Sequence, residues 1–236
     1  NGGKTIALML DSNNVPHIVF LGLNAADTGI GRIRYFNRVG GSWGAVETVA
    51  TATSGSIFEL SACVDSTNTF HIIATGTFTT GGVHYWTGIT ASWSATQDID
   101  TAGSSGDITV SSANAPVVIY NDAGGKKFNT RSGGTWSNEE TISTNTTNFQ
   151  GNKIVVDSAD NYHVIWIENI DSSRGIKYRK RTSGVWGTEQ TVISNAALPG
   201  YEAGLLGIDS SNAVYVVYQP DQDSGLGETI YYKIIA

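Results

Sequence analysis

Apolar residues in this chain recur every second position, in short runs, and not every three or four. "IRYFNR" (Ile33 to Arg38), "VHYWTG" (Val83), "KKFNTR" (Lys126), "IKYRKR" (Ile176) and "IYYKII" (Ile230) alternate in the manner of strands buried on one face. "HIVF" (His17), "HIIA" (His71), "VVIY" (Val117), "HVIW" (His163) and "YVVY" (Tyr215) are dense in β-branched and aromatic residues. Each follows a turn of the type Asp-Ser-x-Asn, starting at Asp11, Asp65, Ser111, Asp157 and Asp209. Asp and Asn side chains bond the backbone just ahead of them, so this turn is a hairpin device. A short apolar strand precedes each turn ("IALMLD", "LSACVD", "ITVSS", "IVVD", "LLGID"), and a Gly-containing turn leads to a fourth strand such as "WGAVETV".

The runs fall into ungapped repeats with a period of roughly 50 residues. Tyr35, Tyr85, Phe128 and Tyr178 each stand eight residues before Trp43, Trp93, Trp136 and Trp186. Glu47, Gln97, Glu140 and Gln190 follow those Trp residues at a constant distance. Units of four antiparallel strands at this period predict an all-β fold, a β-propeller of five four-stranded blades, as one domain over 1–236. The blades run approximately 4–54, 55–104, 105–150, 151–200 and 201–236. One such sheet cannot bury both faces; stacked around an axis, the sheets bury them together. The recurring Trp and Tyr/Phe are therefore expected between blades. Arg38, Arg131 and Arg181 are expected over that Trp or capping a turn. The last unit is incomplete, because the Trp that should follow Tyr232 would fall past Ala236. Either a three-stranded blade closes the ring or the sequence is cut from a longer one, a processed product or an excised domain. An open edge there would pair with another chain.

Composition narrows the partners. The formal charge is -7 and only 15 % of residues are charged, against the basic footprint that nucleic acid or an anionic membrane requires. No apolar run spans a bilayer. Cys63 is the single cysteine, so no internal disulfide forms. A surface rich in Ser, Thr and Gly and poor in Lys points to an extracellular, virion or cell-surface setting.

Asp-Ser-x-Asn, His-Val-x-aromatic, Ile-Lys-Tyr-x-x-Arg and Gly-x-Trp together resemble the propeller repeats of bacterial and phage surface proteins, lectin-like and sialidase-like in style. The resemblance covers the whole chain and implies the fold. It departs from the sialidase Asp-box, since Ser follows Asp here and no Trp stands at the matching place.

Chemistry is expected where the repeat breaks. His17, His71 and His163 share one repeat position in different blades, so they read as structural and cannot gather on one metal unless they face the central channel. His84 aligns with Arg34, Lys127 and Lys177, a position expected in solvent. Cys63 reads as a small core residue. Asp11, Asp65, Asp157, Asp209, Glu47 and Glu140 follow the repeat and read as structural. Carboxylates that break it are Glu59, Asp107, Asp122, Glu168, Asp171, Glu202, Asp221, Asp223 and Glu228. Of these Glu59, Asp107 and Glu202 precede inner strands and could form the acid and base of a glycosidase. The variable loops between strands two and three and between blades share one face. They mix amides and carboxylates with Phe58, Phe78, Phe149 and Tyr201, the mixture that binds sugar hydroxyls and ring faces. Phe58, Asn148, Phe149, Gln150, Tyr201 and Glu202 are the expected ligand contacts. No cofactor is expected. "DQDSGLGE" gives Asp221 and Asp223 the opening of a calcium loop, but Leu226 and Tyr232 break the rest of the pattern. "NTT" at Asn145 is a glycosylation sequon.

The leading expectation is non-enzymatic recognition of a glycan or cell-surface receptor through the loop face. A glycoside hydrolase is the alternative. An assembly module that pairs other subunits through its last blade is the third reading.

Overall fold

The structure is a computed structural model; it describes residues 6–23, 30–55, 57–136, 138–146, 151–170, 173–194, 201–220 and 230–235. The alternation seen in the sequence becomes five antiparallel sheets. Blade one is β1 (Ile6–Leu10), β2 (Pro16–Leu23), β3 (Gly31–Val39), β4 (Ser42–Trp43) and β5 (Glu47–Thr51). Blade two is β6 (Glu59–Val64), β7 (Phe70–Thr75), β8 (Val83–Ile89), β9 (Ser92–Trp93) and β10 (Gln97–Asp100). Blade three is β11 (Ser104–Val110), β12 (Pro116–Asp122), β13 (Gly125–Ser132), β14 (Thr135–Trp136) and β15 (Glu140–Ser143). Blade four is β16 (Lys153–Val156), β17 (Tyr162–Ile170), β18 (Ser173–Thr182), β19 (Val185–Trp186) and β20 (Gln190–Ile193). Blade five has three strands, β21 (Tyr201–Ile208), β22 (Val214–Pro220) and β23 (Tyr231–Ile234).

The fold is the expected β-propeller, with one refinement. The fourth strand of each full blade is split, and both pieces pair with the third strand. The ladder breaks just after each Trp, where Gly44 N–H bonds Asn37 O and Gly187 N–H bonds Lys180 O. It resumes at Glu47, Glu140 and Gln190 and carries a register shift two residues farther along. Beside that shift Gly82 immediately precedes β8 and Gly125 opens β13. Both have φ near +120°, and a Cβ there would collide with the carbonyls of Asp100 and Ser143.

Four apolar clusters hold the blades, one for each junction. Inner strands β1, β6, β11, β16 and β21 stand side by side in sequence order. The Trp of each following blade packs on the third-strand aromatic of the blade before it. Trp93 lies 5.0 Å from Tyr35, Trp136 5.1 Å from Tyr85 and Trp186 5.2 Å from Phe128, all edge to face. The arginines correct one expectation. Arg131 lies over Tyr85 and Arg181 over Phe128, so each guanidinium covers the aromatic ring of the preceding blade and not its own Trp. The reason is the acceptor on that side. Gln97 receives Arg131, and Glu140 receives both Arg181 and the indole N–H of Trp186.

The Asp-Ser-x-Asn turns lie at the opposite ends of the strands from the variable loops. Asp65 Oδ1 accepts the amides of Thr67 and Thr69, and Asp11, Asp157 and Asp209 do the same in their blades. The fourth turn residue is left-handed, from Asn14 (φ 59°) to Asn212 (φ 67°), which Asn and Asp tolerate best. These residues also stitch the blades together. The amides of Ser12, Ser66, Ser112 and Ser158 donate to Asn68, Asn114, Asp160 and Asn212 of the next blade.

Three histidines complete the pattern. His17, His71 and His163 each bond a third-strand tyrosine (Tyr35, Tyr85, Tyr178) through Nδ1 at 2.7 Å. Their Nε2 atoms face the Oδ2 of Asp11, Asp65 and Asp157. The histidines sit in separate blades, each engaged within its own.

Candidate functional site on the loop face

The side chains that break the repeat meet at the loop-side ends of blades two to four. Register makes the departures visible. Ala7, Ser61, Asp107, Lys153 and Leu205 occupy one position of the five inner strands, each opposite the fourth residue of the second strand. In blades two to four this tier is polar. Asp107 is buried; it accepts the Ser61 hydroxyl at 2.6 Å and the Ile154 amide at 3.1 Å, so it ties three blades together. Lys153 Nζ turns back onto Asn152 O.

Just above, β11 bulges between Ser104 and Asp107. Buried Ser105 takes φ 46° there, a left-handed conformation that costs a serine about 1 kcal/mol or more. The bulge aims the Ser105 hydroxyl at Glu59 Oε1, 3.4 Å away, and its carbonyl at Asn152 Nδ2. Asn152 also donates to Asn121 Oδ1, while its own buried Oδ1 has no hydrogen-bond partner among the described residues. Asn121 stands opposite Lys126 in the β12–β13 ladder.

Lys126 is the sharpest departure. The same third-strand position carries Ile33, Val83 and Ile176 in other blades, all fully buried. Lys126 is 2 % exposed. Burial disfavours its ammonium and brings the pKa down to about 8, against the raising pull of the Glu168 carboxylate. Glu168, also buried, accepts the Trp166 indole N–H at 2.9 Å and pairs with Lys177 at 3.5 Å. An amine near neutral pKa, buried carboxylates and unsatisfied amide oxygen can together donate and accept protons and bind hydroxyls.

The other sequence candidates fall as follows. Glu59 opens β6 at the loop side, and Phe58 beside it is exposed. Glu202 and Tyr201 lie in β21, at the loop-side start of the inner strand of blade five. Asn148, Phe149, Gln150, Asp171, Asp221, Asp223 and Glu228 lie outside the described residues. Asp122 gathers with Asp100 and Glu139, their oxygens within 4.8 Å of one another. Lys127 Nζ bridges Asp122 and Glu139 there, at 3.5 and 3.2 Å, so the cluster carries its own cation.

Two expectations are corrected. Phe78 is not a loop platform; it is buried against Trp86 in the junction of blades one and two. His84 is not solvated; it is fully buried between Asp98, at 2.7 Å, and the Gly76 carbonyl. Cys63 behaves as read: burial holds its thiol well above the usual range. Lys126, Asn121, Asn152 and Ser105 were missed. Position-by-position comparison of the repeats carries the signal for Lys126, since an amine replaces Ile or Val there.

A depression of about 310 Å³ opens on the opposite, turn-bearing face, lined by Ser66, Ser111, Ser112, Asn114, Asp157 and Asp160 among others. It lies where Ser111 stands in place of the repeat's Asp.

No protein-family model and no curated protein matches the sequence. Solved structures do match. A protein of unknown function from Dyadobacter fermentans superposes with TM-score 0.67 at 7 % identity, over 99 % of this chain and 82 % of its own. The catalytic domain of a GH62 α-L-arabinofuranosidase from Coprinopsis cinerea gives 0.55 at 12 %, covering 98 % and 88 %. An exo-β-1,3-galactanase from Phanerochaete chrysosporium gives 0.56 at 11 %, covering 99 % and 64 %. At these identities the likeness is one of fold.

Proposed function

We propose that this propeller acts on glycans through its loop face, as a glycoside hydrolase. The observation that carries the reading is the gathering of repeat-breaking ionisable groups, Glu59, Asp107, Lys126 and Glu168, at the loop-side ends of blades two to four. A rigid fold has no structural need for these groups where apolar residues serve the other blades. The names of the fold's neighbours, an arabinofuranosidase and a galactanase, support the same substrate class. Cleavage needs one carboxyl group to protonate the leaving oxygen and a second to activate water or attack the anomeric carbon. Glu59, Glu168 and Glu202 supply the candidates for these two roles; Asp107, which accepts the Ser61 hydroxyl and the Ile154 amide, acts as a fixed charge beside them. An extracellular or particle-surface location suits such a substrate.

Non-enzymatic recognition is the second reading. It is favoured by Phe58, whose ring is exposed beside Glu59 and offers a sugar a flat apolar face.

Reducing-sugar release from arabinan, arabinoxylan and galactan panels, run beside a glycan array, tests both. Hydrolysis abolished by Glu59→Gln, Glu168→Gln or Glu202→Gln with binding kept establishes the hydrolase. Binding without turnover, lost in Phe58→Ala, establishes recognition. Neither turnover nor binding to any glycan defeats the proposal.

A further inference from the structure

Side chains that break the repeat meet across a single junction. Ile119, Phe128 and Trp166 belong to the apolar cluster between blades three and four. Asn121, Lys126 and Glu168 lie two residues from them along the same strands, so by alternation they turn into the same junction. Blade one has Leu21, Ile33 and Gly22 at these positions, and blade four has Ile167 and Ile176 at the first two. Asn152, just before β16, stands where blade two has the buried Leu60 and where Gly106 and Gly204 serve blades three and five. Asn121, Lys126, Asn152 and Glu168 are 1, 2, 3 and 5 % exposed. Asn152 is held through its amide nitrogen, which donates to Ser105 O at 2.6 Å and to Asn121 Oδ1 at 2.9 Å. Turning the amide over would set its oxygen against both of those oxygens, so the hydrogen bonds fix its orientation. Its Oδ1 faces away from them, buried and with no hydrogen-bond partner among the described residues.

We propose that this junction binds an internal water molecule, which donates to Asn152 Oδ1 and accepts from Lys126 Nζ. A buried water is held by about three polar partners, and the junction offers that many. The Asn152 oxygen takes one of its protons. The Lys126 ammonium is a donor with protons to share. The Glu168 carboxylate, whose charge already pulls on that ammonium from blade four, takes the second proton. Asn121 brings the first two groups together, because it pairs with Lys126 across the ladder and accepts from Asn152. Water fits where a larger ligand does not, since every one of these side chains is enclosed. It does for Lys126 what bulk solvent does for an exposed lysine, and so lets a charged amine stand where other blades bury Ile or Val. The proposal does not depend on the glycan reading, and its test uses no glycan.

Magnetic relaxation dispersion of solvent deuterons counts long-lived internal waters in the folded chain. Asn152→Leu, which installs the residue of blade two, should lose one such water relative to the wild type. The Lys126 amine, followed by carbon-13 NMR and assigned with Lys126→Ile, should bind its proton at least tenfold more weakly in Asn152→Leu. A crystal structure of the unaltered chain needs no variant, and serves should Asn152→Leu lose its cooperative thermal transition. It should show a water within about 3.2 Å of both Asn152 Oδ1 and Lys126 Nζ. Equal water counts in the wild type and Asn152→Leu overturn the proposal, and so does an amine whose proton affinity is unmoved. A crystal with a protein donor on Asn152 Oδ1, or with no water there, overturns it as well.

Discussion

His71 Nδ1 lies 2.7 Å from the Tyr85 hydroxyl, and its Nε2 lies 3.3 Å from Asp65 Oδ2. Blades one and four repeat this Asp–His–Tyr chain. Blade three replaces all three members at once, with Ser111, Val117 and Phe128. Blade five shortens the chain, its Tyr215 hydroxyl reaching Asp209 directly at 2.9 Å. Among the buried networks of blades one to four the chain is kept whole or discarded whole, because one missing member strands buried polar atoms of the others. His71→Val alone should cost about 1–3 kcal/mol. The triple change Asp65→Ser, His71→Val, Tyr85→Phe should cost less than the sum of its single changes. Urea denaturation of the set measures this; strict additivity would contradict it.

Acid should destabilise the fold in two stages. His71 and His163 are held below the ordinary 6.5, because burial outweighs the pull of Asp65 and Asp157. The unfolded chain therefore takes up these protons first. Stability is complete above about pH 6.5 and declines as pH falls toward the depressed folded values. The turn carboxylates act lower. Burial alone would raise Asp65, but hydrogen bonds from Thr67, Thr69 and His71 hold it below 3.8. Asp209, bonded by Ser211, Ala213 and Tyr215, lies at about 2. Their contribution is present above about pH 4 and is lost as pH falls through the folded values. Calorimetric Tm between pH 8 and 3 should show both stages, and the His71→Val, His163→Val double variant should flatten the first.

Junctions two–three and three–four should differ in cost. Glu140→Ala strips the acceptor from both Arg181 and the Trp186 indole, and should cost about 2–3 kcal/mol. Gln97→Ala loses one bond, from Arg131, and should cost about 1 kcal/mol. Equal losses of Tm would contradict this assignment.

Lys126→Ile restores the residue that the other blades use. Glu168 keeps Trp166 and Lys177, so it is not left bare. Tm should hold or rise, while glycan turnover or binding falls at least tenfold. A fall in both would make Lys126 a structural residue.

The strands, the turns and the interblade Trp were legible because each rests on local pattern repeated several times. The split fourth strand was not, since the break after Trp43 depends on a backbone bond to Asn37 that no periodicity shows. Phe78 and His84 were misplaced for a shared reason: a polar or loop setting in sequence does not show that the two rings pack on each other and on Trp86. Glu59 and Asp107 were visible as departures from the repeat. Lys126 departs just as plainly, but a lysine at the start of a strand is ordinarily solvated.

The stitch from each turn serine to the next blade's Asn or Asp has a direction and reads only its immediate neighbour. A blade copied in frame between any two others would find both of its stitches answered without altering either. This architecture can therefore lengthen or shorten by whole units under duplication and deletion, each intermediate remaining a foldable protein.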